Sequence, residues 1–186
     1  MKNTTLYAVV LAVVLALPAA AKEVAGVKFP ETVAAEGKEL KLNGAGLRKK
    51  LVFNVYAVGL YVESPSRSAQ QVIESDQVKR VRMSMLRDLD KKSITEAIVE
   101  GFKKNAKDRM SAMQQRLDTF TAAIPDLKKG DELVLTYVPG KGTTIESRAG
   151  EKISVGGKDF ADALFSVWLG KSPVDEGLKD GMLGKE

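Results

Sequence analysis

The sequence contains no cysteine and no histidine. No disulfide can brace the fold, and no thiolate can act as a nucleophile. Zinc centres built on Cys or His are excluded, as are Ser-His-Asp and Cys-His catalytic units. Haem and iron–sulfur ligation lose their usual donors. No cofactor motif is present, and neither cofactor nor metal is expected. Any acid–base chemistry falls to carboxylates, Lys, Tyr or a bound water. Aromatics are also scarce, at 6%. None is interleaved with the basic clusters Arg48-Lys49-Lys50, Lys79-Arg80-Val81-Arg82 and Lys103-Lys104. A base-stacking surface is therefore absent, and no nucleic-acid partner is expected. The net charge of +5 reads as a solvated basic surface, because Lys and Arg alternate with Asp and Glu along most of the chain.

Long apolar runs are confined to the start. Lys2 precedes an apolar stretch from Leu6 to Leu17, Pro18 ends it, and Ala19-Ala20-Ala21 supplies small residues at a cleavage site. Residues 1–21 read as a signal peptide cut before Lys22, with a periplasmic mature chain. The uncharged stretch from Asn3 is close to the minimum for a membrane span. No basic stop-transfer cluster follows it, so no stable span is expected after cleavage. Residues 22–186 then form one domain, without internal repeat, whose hydrophobic content must hold the fold unaided.

Val24 to Phe29 and Glu39 to Leu42 read as short strands around a turn at Glu36-Gly37-Lys38, and Asn43-Gly44-Ala45-Gly46 reads as a flexible stretch where backbone can turn or approach another group closely. Leu51 to Val62 is apolar on both faces and predicts a central strand covered on both sides. A short helix over Ala69 to Glu74 follows, then an alternating strand, Val78 to Leu86, with Val81, Met83 and Met85 inward. Ser93-Ile94-Thr95-Glu96 fits a capping box that opens a helical pair over about 93–123. Glu132 to Val138, Thr143 to Ser147 and Glu151 to Val155 predict an antiparallel meander. A helix from Lys158 to Leu169 comes next, and Ser172-Pro173 reads as the cap of a terminal turn. This order predicts an α+β fold, a large antiparallel sheet with helices packed on one face and a cleft between the layers.

Three places carry functional potential. Arg48, after the glycine-rich stretch, can grip a carboxylate or other oxyanion through two parallel hydrogen bonds. Tyr56 and Tyr61 bring hydroxyls into an apolar strand, where one can point into a pocket. Ser166 lies on the late helix, and without histidine it is not a hydrolase nucleophile. In a straight strand, Arg48 and Tyr56 would stand roughly 26 Å apart. They share one ligand head group only if the chain turns near Lys49-Lys50.

At these residues the chain resembles the chalcone isomerase-like family, in particular its exported bacterial branch. The carrying segments are GVKFPETVAAEGKELKLNGAGLRKKLVFNVYAVGLYVES, residues 26–64, and FADALFSVWLGKSPVDEGLKDGMLG, residues 160–184. The resemblance implies an open-faced β-sandwich, and a role among enzymes that close chalcones to flavanones, fatty-acid binders without that activity, or members of neither kind. It places Arg48 at the arginine that binds a substrate oxyanion or a lipid carboxylate. Tyr56 falls where the enzymes keep threonine and the fatty-acid binders keep tyrosine, and Ser166 at a late Ser/Thr position near the substrate. The tyrosine and asparagine that the enzymes carry seven apart on their first helix have no counterpart in Lys92 to Gly101.

Three functions follow as expectations. The first is a non-catalytic binder of a lipophilic acid of fatty-acid type, held by Arg48, Tyr56 and Ser166. The second is an intramolecular lyase in which the same three residues act on a chalcone. The third is an envelope interaction module with no small ligand. A filled or an open cleft beneath Arg48 and Tyr56 separates the third from the others.

Overall fold

The computed structural model describes residues 21–147 and 152–185. Of the expected signal peptide, residues 1–21, all but Ala21 lie outside these, as do Ala149-Gly150 and Glu151.

The first two strands, β1 (Ala21–Val24) and β2 (Val27–Pro30), form a hairpin where a single strand is predicted. Ala25 and Gly26 both take positive φ, 50° and 83°, the conformation that lets a two-residue turn follow the strands' twist. β3 (Thr32–Ala35) turns through Glu36-Gly37 in the same way into β4 (Lys38–Lys50). β5 (Phe53–Val62), β6 (Lys79–Met85), β7 (Glu132–Val138), β8 (Gly142–Ser147) and β9 (Ile153–Val155) complete a seven-stranded antiparallel sheet in sequential order. Between β5 and β6 lies α1 (Ala69–Glu74). Between β6 and β7 lie α2 (Lys91–Asn105), a 3-10 turn (Lys107–Arg109) and α3 (Met110–Ala122). α4 (Lys158–Leu169) and α5 (Glu176–Met182) close the chain.

Of the two roles expected for Asn43–Gly46, a turn or a close approach, the structure shows the second, because the segment lies inside the long strand β4. These glycines admit a neighbour instead of a turn. A Cβ on Gly44 would come within 2.3 Å of the Gly181 carbonyl oxygen in α5, and one on Gly46 within 2.9 Å of the Leu178 carbonyl oxygen. The chain reverses two residues beyond Lys49-Lys50. Leu51 and Val52, predicted within a strand, form the tip of the β4–β5 hairpin. Leu51 sits there at φ 54°, a left-handed conformation that costs a branched side chain about 1–2 kcal/mol.

Two helix starts also differ. α2 begins at Lys91 because Asp90, rather than Ser93, is its cap. The Asp90 carboxylate accepts from the Ser93 backbone N–H at 2.7 Å. α5 begins after Asp175, which accepts from the Leu178 N–H at 3.0 Å, so Ser172 and Pro173 remain in the connecting loop.

β5 is covered on both sides. Tyr56, Val58, Leu60 and Val62 face the helices. Ala57 and Tyr61 face a smaller cluster under the β1–β2 hairpin. Phe29 from that hairpin lies directly over Gly59, where a Cβ would meet its ring at 2.5 Å. All the helices pack on the other face. α4 runs through the core, buried from Phe160 to Leu169 apart from the partly exposed Asp162. The Phe160 ring sits between Phe102 and Phe120, with centroids at 5.4 and 5.5 Å in tilted geometry. Gly101 in α2, a poor helix former, allows α4 to come close: a Cβ there would lie 2.8 Å from both γ-carbons of Val167. Lys79 stands on the inward face of β6 without exposure. Its ammonium donates to the Val72, Ile73 and Ser75 carbonyls and so satisfies the C-terminal end of α1.

Candidate ligand cavity

The β4–β5 hairpin brings Arg48 and Tyr56 together. They are directly paired across the two strands, a register that places Cβ atoms about 4.5–5.5 Å apart on one face. Both line a cavity of about 630 Å³ between the sheet and the helices. Met85 from β6, Leu135 from β7, Ile94 and Ile98 from α2 and Trp168 from α4 supply much of its wall. Lys50, Leu51, Phe53 and Arg87, at and beside the hairpin tip, also line it. The volume falls within the range of about 300–1,000 Å³ usual for small-molecule sites.

Charged residues line the cavity at Arg48, Lys50 and Arg87 and, towards α2, at Asp88, Asp90, Glu96 and Glu100. The Arg48 guanidinium donates to Asp175 Oδ2 at 3.2 Å and to the Lys49 carbonyl. Asp175 thus ties the cap of α5 to the end of β4, and it also accepts from the Lys49 N–H at 3.3 Å. Both guanidinium bonds of Arg48 leave from Nη1, and its Nε and Nη2 hydrogens have no partner among the described residues. Those two nitrogens form the fork that matches a carboxylate.

Tyr56 is held from the other side. Trp168 Nε1–H donates to its hydroxyl oxygen at 3.1 Å. Burial pushes the Tyr56 pKa up from 10.0 to about 12; the Trp168 hydrogen bond and the Arg48 charge oppose that rise, and Asp175 adds to it. The hydroxyl therefore stays protonated through neutral and moderately alkaline pH. Its own proton has no acceptor among the described residues, which leaves it available to an oxygen in the cavity. Arg48 and Tyr56 thus offer an oxyanion a charged donor and a neutral donor side by side.

Ser166 stands apart from this pair. It is buried on α4, is not part of the cavity wall, and donates to the Ala163 carbonyl at 2.6 Å. Tyr61 lies on the opposite face of the sheet. Trp168 and Asp175 join the site without having been singled out from sequence. Trp168 falls within the predicted Lys158–Leu169 helix, and Asp175 lies just beyond the predicted Ser172-Pro173 cap.

The profile of the chalcone isomerase-like family matches residues 21–184. The chain belongs to that family. Its fold is similar to the crystal structure of a fatty-acid binding protein of Arabidopsis thaliana, with a TM-score of 0.66 and 18% identity over 86% of this chain and 93% of that one. At that identity the likeness establishes the open-faced, helix-backed sheet. No curated protein matches the sequence significantly.

Proposed function

We propose that the protein binds a lipophilic acid of fatty-acid type, without catalysis, in the cavity between sheet and helices. The observation that carries this reading is the pairing of Arg48 with Tyr56 at the edge of an apolar cavity. The aliphatic and methionine wall would take a hydrocarbon tail out of water, at about 25 cal/mol per Å² buried. Arg48 Nε and Nη2 and the Tyr56 hydroxyl would hold the carboxylate. The open cavity weighs against an interaction module with no small ligand. The α2 wall contributes Ser93, Ile94, Glu96, Ala97, Ile98 and Glu100 but no tyrosine or amide, which favours holding a ligand over closing a chalcone. Ser166 acts in this reading through α4 rather than on the ligand. Native mass spectrometry after gentle purification tests the proposal. A retained or added long-chain carboxylic acid at one per chain supports it, and a chain that stays empty with excess acid refutes it.

Export to the periplasm with cleavage before Lys22 belongs to the same proposal. Intact mass of the protein recovered from a bacterial periplasm checks it. A first residue of Met1 would refute it.

A further inference from the structure

The large hydrophobic side chains exposed among the described residues are Leu51, Val52 and Phe53, which are 90%, 88% and 52% exposed. They are consecutive and form the projecting tip of the β4–β5 hairpin. Isolated exposed apolar residues are ordinary, but their gathering at one projection is a recognition feature. Folding does not account for it. The turn needs positive φ at Leu51, where Gly or Asn would be favoured and a branched apolar residue is strained.

The cations that flank this tip are unpaired among the described residues. Lys49 and Lys50 precede it, and the Arg87 guanidinium stacks 4.6 Å from the centroid of the Phe53 ring. None of these three cations forms an ion pair among the described residues. The neighbouring acids are already engaged: Asp88 with Lys128, Asp90 with the start of α2, Glu96 with Lys92, Glu100 with Lys104, and Asp175 with Arg48. An apolar point with a free basic collar matches the surface of an anionic bilayer. The apolar side chains enter the boundary between head groups and acyl chains while the cations remain at the phosphates.

We propose that the Leu51-Val52-Phe53 tip docks the protein on anionic lipid surfaces. Docking stands independently of the cavity reading. Where that reading also holds, docking sets the tip end of the cavity against the bilayer, because Lys50, Leu51, Phe53 and Arg87 line the cavity and stand at or beside the tip. A fatty acid can then pass between bilayer and cavity without crossing bulk water.

Sedimentation with phosphatidylcholine vesicles, with and without phosphatidylglycerol, tests the proposal. The wild-type chain should pellet with the anionic vesicles, lose most of that binding at high salt, and ignore the neutral ones. Leu51→Asn with Val52→Ser should lower vesicle partitioning at least tenfold. Asn accepts positive φ, so this variant relieves strain, and an unchanged thermal transition verifies its fold. Lys49→Gln, Lys50→Gln and Arg87→Gln together should lower partitioning about a hundredfold. Failure of the wild type to bind anionic vesicles overturns the proposal. So does full binding by the tip variant, or a tip variant that alters only self-association by size-exclusion chromatography. Sedimentation scores docking whether or not the cavity is filled. Tip-dependent pelleting by a chain that takes up no fatty acid refutes the cavity reading alone, and the reverse result refutes docking alone.

Discussion

Trp168 donates its indole N–H to the Tyr56 hydroxyl at 3.1 Å, joining the core helix α4 to the central strand β5 inside the cavity. The bond occupies one lone pair of the hydroxyl and leaves the proton for a ligand. It also makes Tyr56 report on the integrity of the site, because its burial depends on the contact between sheet and helix.

Stability should fall at alkaline pH through Tyr56. Below pH 10 the residue is neutral in both folded and unfolded chains. As pH rises from 10.0 towards about 12, the unfolded chain ionises first and is favoured. The loss from this residue amounts to about 2–3 kcal/mol by pH 12. Urea unfolding of wild type and Tyr56→Phe across this range measures it. The stability of wild type relative to Tyr56→Phe should fall by that amount from pH 10 to pH 12, since the other tyrosines are common to both.

Trp168 is the single tryptophan of the chain and lines the cavity. A lipophilic acid entering the cavity should therefore change the intrinsic fluorescence, saturating at one equivalent. Trp168→Phe keeps much of the packing volume but leaves the Tyr56 oxygen without its donor. It should weaken binding several-fold, within the range of about 0.5–1.5 kcal/mol for one neutral hydrogen bond. A displaced fluorescent fatty acid serves as readout for that variant.

Asp175, 3.2 Å from Arg48 Nη1, offsets the guanidinium charge that a ligand carboxylate would meet. Asp175→Asn keeps a good helix cap and can still accept from Arg48, but removes the negative charge beside the proposed head group. Carboxylate affinity should rise about two- to tenfold, while the affinity of the matching fatty alcohol stays the same. Calorimetric titration of both ligands distinguishes the outcomes.

Much of the layer order is legible in the sequence because it rests on local signals. β7 and α4 have the predicted limits, and so does α1, since alternation and the 3.6-residue stripe are strong in those segments. The β4–β5 reversal is illegible for a physical reason. Leu51-Val52 carries strand residues at a turn, and Gly44-Ala45-Gly46 carries turn residues in a strand. Both inversions serve long-range needs: α5 must approach the glycines, and the tip presents side chains that folding does not require. The proximity of Arg48 and Tyr56 depends on this reversal, so resemblance identified the pair while spacing along a straight strand argued against it. Trp168 and Asp175 were out of reach because each is defined by a partner more than a hundred residues away in sequence.

The most direct test is titration of a long-chain fatty acid, and of the alcohol of equal length, into wild type and Arg48→Gln. Loss of a charge-assisted hydrogen bond is worth about 1.5–3 kcal/mol. The variant should therefore bind the acid ten- to a hundredfold more weakly and bind the alcohol as before. Equal affinity of the two proteins for the acid would contradict the account, as would a wild-type chain that binds neither ligand.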